Sequence, residues 1–531
     1  MTGAIEVPRT FSSKQPLGGF NMKKYLGLTV ILTFAMVVLL ACNNSEPETN
    51  SNGGTLVVGR GADSQIMDPQ GSNSGADALI WTQIYEGLVR LNTDLEIEGV
   101  LAHDWEQVDD LTWRFFLRED VYFHNGDHFT SADVEFTLLR ALDSPSVSHI
   151  VGEIDPEGIV IIDDYTIEIT TTEPFAPFLV NMTLPGMSIL NERSITEADG
   201  EVNENPIGTG PFMFDSWEQS EQLTLARNDN YHGELAHIET LTFKVIPEPS
   251  NRMIALEVGD VDMVLDLAPA DIHRVMELEE LNLIRRSDLA THYLAFNTNF
   301  EPLNDVRVRQ AINYAINVEE MIDTILEGVG GVSFGPMNEN VWATNPNLTG
   351  YGFDPIRARE LLADAGFEDG FEVNLTVNGE NAMRVNMAAV IQSQLSDIGI
   401  TVTLRNLENV AYTEYVDSGE GQMYILGWTN VTADPENGLF PLFHSSRHGS
   451  AGNRTFFAND RVDELLEAGR AEMDPAQREA YYLEAQEIIV DEAPWAFLTT
   501  GEIIIATGEH VTDFVPSPRG LHFFDQVRVA P

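Results

Sequence analysis

Residues 101–134 read LAHDWEQVDDLTWRFFLREDVYFHNGDHFTSADV. After the polar turn Asp109-Asp110-Leu111 the pattern alternates: Trp113, Phe115 and Leu117 face one way, and Thr112, Arg114, Phe116 and Arg118 the other. A period of two predicts a strand with one well-buried face. In Phe123-His124-Asn125-Gly126-Asp127, the Asn-Gly pair supplies the positive φ of a tight turn. Thr130-Ser131-Ala132-Asp133 is then a polar cap for a helix that runs on through Phe136, Leu138 and Leu139.

Outward from this unit, strands and helices mix without strict alternation. Leu56, Val57 and Val58 begin a strand, residues 76–88 read as a helix closed by Gly87, and 159–162 with 165–171 form a hairpin around Asp163-Asp164. Strands are expected at 223–227, 241–245 and 263–265, with a helix at 253–258. A second region begins near Leu294, where strand and helix alternate and an α/β layer arrangement is favoured. There Asp305 caps a helix to Ile316, and Asn317 caps the next with Glu320 in the capping-box place. Helices follow at 355–365 and 383–398, with strands at 372–377, 401–405 and 422–426.

The chain has 531 residues and 43% hydrophobic content, enough for roughly two to four domains with ordinary cores. Its formal net charge of −55, from 84 acidic and 29 basic residues, argues against nucleic-acid binding, because a phosphate backbone would be repelled. Beyond the first 24 residues the one lysine is Lys244, while arginine occurs throughout. Arginine keeps its charge at a pH where lysine loses it, which points to an alkaline or salty medium.

Residues 1–21 carry no periodic apolar pattern and read as a mis-called extension ahead of Met22-Lys23-Lys24. An apolar block at 26–40 behind that basic pair is short for a membrane span and right for a secretion signal. It ends in Leu39-Leu40-Ala41-Cys42, which resembles a lipobox, so 22–42 is read as a lipoprotein signal peptide with Cys42 as the lipidated residue. A diacylglyceryl group carries the two chains that stable anchoring needs. Cys42 is the one cysteine of the chain, so no internal disulfide is possible. Residues 43–54 form a polar, flexible tether.

No catalytic constellation stands out: there is no G-x-S-x-G, no H-E-x-x-H, no phosphate loop and no G-x-G-x-x-G between strand and helix. His444 and His448 are spaced for a metal on a helix, but Ser445, Ser446 and Gly449 indicate a loop and a capping role. No metal, cofactor or catalytic residue is therefore assigned. With 84 carboxylates, close acidic pairs arise by chance; a secreted hydrolase using such a pair stays the alternative from another class.

The L-A-x-x-W run, the aromatic strand ending L-R-x-x-V-x-F-H-x-G and the capped A-D-V helix together resemble the identifying segment of family 5 of the extracellular solute-binding proteins. These are the peptide and nickel receptors of ABC importers. Three further segments agree in order: residues 205–212 (NPIGTGPF), Phe296-Asn297-Thr298-Asn299 leading to Asp305-Val306-Arg307, and Gly427-Trp428 leading to Pro441-Leu442-Phe443-His444-Ser445. The resemblance implies a two-lobed α/β fold of the periplasmic-binding-protein type with an enlarged first lobe and the ligand enclosed between lobes. It places lobe I at 55–290 plus 508–531, with a subdomain at about 89–205, and lobe II at 291–507. Crossings near 288–294 and 498–507 are the hinge candidates.

It further implies a monomeric, lipid-anchored, extracytoplasmic receptor that hands a peptide to the transmembrane subunits of a permease, with the ATPase subunits engaged indirectly. Nickel chelate, haem or oligosaccharide are the alternative ligands. In the family the backbone beside this Gly-Trp pairs with the peptide like an added strand, so Gly427, Trp428, Thr429 and Asn430 are ligand-binding candidates; Trp428 filling the interlobe core is the other reading. Where dipeptide receptors of the family carry an amino-anchoring aspartate, this chain has Val431, and Asp434 is either a substitute or a turn residue before Pro435. Asn378, with Arg384 close by, stands near the place of their carboxylate-binding arginine. The loop wording looks closer to the oligopeptide and glutathione-receptor branch, and Arg454 is a candidate for a ligand carboxylate or, ranked higher, for an ion pair between lobes.

Overall fold

The computed structural model describes residues 54–530 apart from 199, 201 and 204. The extension, the signal peptide, Cys42 and the tether up to residue 53 lie outside the described residues.

Two long strands, Leu281–Phe296 and Trp495–Gly508, run antiparallel through the middle of an 11-stranded sheet. On one flank the sheet continues through Met423–Thr429, Phe371–Asn378 and Ile400–Leu407. On the other it passes through Met263–Val264, Thr55–Arg60, Thr240–Val245, Gln222–Arg227 and Phe212–Glu218. Hydrophobic cores sit on each of the two flanks of this mixed α/β, two-lobed architecture, and a smaller cluster packs Met253 and Leu256 against Ile322 and Leu326. One flank gathers Leu56, Phe243 and Met263 with Leu521, Phe524 and Val527 from the end of the chain. The other flank packs Leu294, Ile312 and Leu375 in one layer, and Tyr293, Phe443 and Trp495 in the next.

The ladder between the two long strands is broken: pairing is in register from Leu281 to Ser287 and resumes at Thr291. Opposite the gap lies Gly501, where an added Cβ would run into the Asp288 carboxylate. Asp288 Oδ1 accepts from Ala290 N at 2.7 Å. Burial, with Glu339 and Glu502 nearby, pushes its carboxyl pKa up to about 6. An irregular ladder is a weaker brace than a continuous one, which suits these segments to absorb lobe movement.

The segment 101–134 builds a satellite of the first lobe. Ala102–Gln107, Thr112–Leu117, Thr166–Thr171 and Ile154–Asp163 form a four-stranded antiparallel sheet. Phe115 and Leu117 point into its core beside Val134 and Phe178. Gly126 takes a φ of +85°, and Thr130 caps the helix Ser131–Asp143 in a reciprocal box with Asp133. Asp305 and Asn317 also cap their helices through the side chain.

Two expectations shift. The helix expected at 76–88 spans Gly75–Ile84, because Tyr85 is already extended, and Gly87 plays no capping part. The strand expected to end at 426 runs to Thr429, so Gly427 and Trp428 are ladder residues and not loop residues. Local pattern could not show this, since the partner strand is Leu281–Phe296, far away in sequence.

Candidate ligand site at the crossing strands

Met423–Thr429 pairs along its whole length with the first crossing strand: Gly427 faces His292, Trp428 faces Thr291 and Thr429 faces Ala290. Its other edge is different. Phe371–Asn378 pairs with it at Met423 and Tyr424 only, and the Ile425 carbonyl accepts from the Tyr412 hydroxyl at 2.8 Å, so from Leu426 to Thr429 that edge has no strand partner among the described residues. A free edge carries backbone donors and acceptors able to take an added strand.

Side chains left without partners gather at this end. Buried Trp428 Nε1, His292 Nδ1 and Arg384 Nε make no hydrogen bond among the described residues. Gly427 is the point they share: a Cβ there would lie 2.7 Å from His292 Nδ1 and 3.0 Å from Arg384 Nη2. Glycine is thus required by close approach. Burial first, and Arg384 second, push the His292 pKa down to about 4, so the imidazole is neutral at neutral pH. Burial likewise raises the Tyr412 and Tyr293 phenols, against the pull of Arg384 and Arg454. Arg384 sits in the first turn of the helix Ala382–Ser396, where the helix dipole disfavours a cation. Leaving buried polar groups unpaired costs roughly 1–3 kcal/mol each, more when charged, so a cluster of them marks a place prepared for a partner.

The remaining candidates are committed elsewhere. Asp434 caps the helix Pro435–Phe443 and grips Arg478 through both oxygens at 2.6 and 2.7 Å. Asn430 is 3% exposed and donates to the Asp434 carbonyl oxygen at 2.9 Å. Asn378 donates to Asn409 Oδ1 at 2.8 Å and accepts from Glu380 N. Arg454 pairs with Asp417 at 2.7 Å; both belong to the second lobe, so the expected ion pair between lobes is not formed there. A contact between residues 291–507 and the satellite of 101–134 is made by Arg470, which the sequence reading did not single out. Arg470 lies 3.1 Å from Glu153 of the satellite sheet and 5.1 Å from the Phe175 ring centre, and its carbonyl accepts from Ala176 N at 2.8 Å.

Trp81 and Tyr85 are core residues, bonded to the Ile66 and Met67 carbonyls. His444 bonds Ser446 and Glu467 whereas His448 bonds the Phe457 carbonyl. Among the described residues no group of three or more His, Cys, Asp or Glu is placed to hold a metal ion.

Sequence reasoning missed His292 and noted Arg384 only as a neighbour of Asn378. A signal for Arg384 existed in its place: an arginine three residues after the helix-capping Asn381 goes against the dipole.

The model of "Bacterial extracellular solute-binding proteins, family 5 Middle" matches residues 96–450, well over half of the chain. A protein named "Probable D,D-dipeptide-binding periplasmic protein DdpA" from Escherichia coli K12 is 30% identical over 87% of this chain and 92% of its own length. Heme-binding protein A of Haemophilus influenzae is 29% identical over 95% of this chain and 99% of its own. Among solved structures, the ABC transporter-associated periplasmic binding protein DppA from Helicobacter pylori, in complex with the peptide STSA, superposes with a TM-score of 0.78 at 30% identity. That match covers 92% of this chain and 100% of the other. The chain belongs to family 5 of the bacterial extracellular solute-binding proteins, and it is a receptor for a solute outside the cytoplasm rather than an enzyme.

Proposed function

We propose that this protein is the substrate-binding lipoprotein of an ABC importer and that its solute is a peptide, held as an added strand along the free edge of Gly427–Thr429. The observation that carries the reading is that edge, without a strand partner beyond Ile425 and flanked by three unpartnered polar groups, Trp428 Nε1, His292 Nδ1 and Arg384 Nε. Backbone pairing binds peptides irrespective of sequence, and the Arg384 guanidinium supplies a partner for a carboxylate. Gly427, Trp428 and Thr429 are the edge; Asn430 and Asp434 brace the loop behind it, and Asn378 and Arg454 flank it.

In this reading lobe I is 55–290 with 508–531, lobe II is 291–507, and the breaks at Ser287 and Thr291 are the hinge. The cores around Phe243 and around Ile312 support that division, and the cluster of Met253 and Leu256 with Ile322 and Leu326 lies across it. Ligand touching both lobes favours the closed form by its differential affinity, and the Arg470–Glu153 contact adds to closure. Lipidation at Cys42 tethers the receptor to the outer face of the membrane, where it meets the permease, while ATP is hydrolysed by partner subunits. Native mass spectrometry of protein purified from cells, followed by mild denaturation, tests the peptide assignment. A ladder of short peptides is expected. Release of haem or of a nickel chelate, the class to which the named haem-binding relative points, would replace it.

A further inference from the structure

The first lobe holds an arginine that the site above does not use. Arg519 is 7% exposed, its Nη2 donates one 3.3 Å bond to the Thr183 carbonyl oxygen, and its Nε has no partner among the described residues. The other buried arginines are differently placed. Arg478 has the Asp434 carboxylate, Arg60 has Asp63, Arg309 donates to the Leu303, Glu492 and Ala493 carbonyls, and Arg252 to those of Ile246, Pro247 and Asp266. Among the described residues Arg252 and Arg519 are the buried arginines with no carboxylate partner, and Arg252 has three carbonyls where Arg519 has one.

Arg519 lies in the wall of a pocket between the end of helix Gly75–Ile84, the turn at 183–188 and the C-terminal loop. Ser188 shares that wall, and no lining residue comes from 291–507. Glu86 and Asp525 also line the pocket, but Glu86 is engaged by Thr209, Tyr231 and His232 at 2.7–2.8 Å. Arg90 serves Glu98 at 2.6 Å and stacks on Phe523, with Asp525 close enough to act on its charge. The charged groups of the wall other than Arg519 therefore have company. Burial lowers the Arg519 pKa to about 10, which still leaves it cationic at neutral pH.

We propose that this first-lobe pocket is an oxyanion site in which the Arg519 guanidinium, held by a single carbonyl bond, binds the carboxylate of a small solute. The site stands whether or not the Gly427–Trp428 edge takes a peptide. The test uses the purified full-length protein and acetate as the probe, at constant ionic strength, with inorganic phosphate in parallel. Acetate is expected to raise the melting temperature of wild type and of Arg384→Met alike. Arg519→Met is expected to bind acetate about tenfold more weakly or worse. Arg519→Lys, which keeps the charge but not the planar fork, should fall between and serves if the Met variant does not fold. Equal acetate binding in wild type and either variant overturns the site, as does no acetate effect in wild type. Stabilisation by phosphate alone overturns the carboxylate assignment.

Discussion

The two ends of the segment 427–434 treat their polar groups in opposite ways. At Asp434 everything is satisfied: both carboxylate oxygens meet Arg478, and the cap bond to Glu436 N is made. At Gly427–Trp428, seven residues before, the indole, an imidazole and a guanidinium are all left open. An arginine stands beside each end, Arg478 as scaffold and Arg384 at the candidate site, and what distinguishes them is whether the protein itself provides the counter-charge. Buried ion pairs gain little over apolar packing but are expensive to break, whereas an unpaired buried donor costs stability until a ligand meets it.

The comparison breaks most visibly at its satisfied end. Asp434→Ala leaves Arg478 buried without its carboxylate and should lower the unfolding free energy by about 3–5 kcal/mol in urea titration. A loss under 1 kcal/mol would mean that the pair is no scaffold.

Next in size is a pH effect from the open end. The folded-state pKa of His292, about 4, lies below its unfolded value near 6.5. Between those values the unfolded chain takes up a proton that the folded one refuses, so stability is full above pH 6.5 and falls as pH drops toward 4. The loss from this residue is of order 2–3 kcal/mol and is absent in His292→Asn. A bound carboxylate beside His292 would raise its pKa and shrink the loss, which calorimetry in buffers of different ionisation enthalpy reads as proton uptake on binding. Asp288 acts with the opposite sign at the break in the ladder. Its folded pKa of about 6 exceeds the unfolded value, so its contribution falls as pH rises from about 4 to 6, and Asp288→Asn should flatten that part of the profile.

Smaller again, Trp428→Ala should weaken solute binding about tenfold while the protein stays folded, since the indole is only half-buried. Unchanged affinity in calorimetry would make Trp428 core filling. Asn378→Ala should change stability and affinity by less than about 0.5 kcal/mol, because its side chain is spent on Asn409 and Glu380 at the surface.

Much of the fold was legible because its signals are local. The strand Thr112–Leu117, the turn at Gly126, and the caps Thr130, Asp305 and Asn317 each sit within a few residues of what they organise. The site was legible only through Gly427 and Trp428. What surrounds them is assembled from three elements: His292 on a long central strand, Arg384 at a helix start and the free edge at the end of Met423–Thr429. Asp434 and Arg478 are 44 residues apart, so nothing local shows that the aspartate is already occupied. The Arg470 bridge joins residues 317 apart. Pairing at such distances follows from sheet order and lobe contact, which composition and periodicity do not carry.

The central claim is that the open end at Gly427–Trp428 is held open for a solute whose carboxylate meets Arg384. Native mass spectrometry of wild type and Arg384→Met, purified side by side from the same growth medium, tests it most directly. The account predicts a wild type carrying released short peptides and an Arg384→Met protein that is empty yet melts at the same temperature or higher. Identical ligands, retained in equal amount by both proteins, would contradict it.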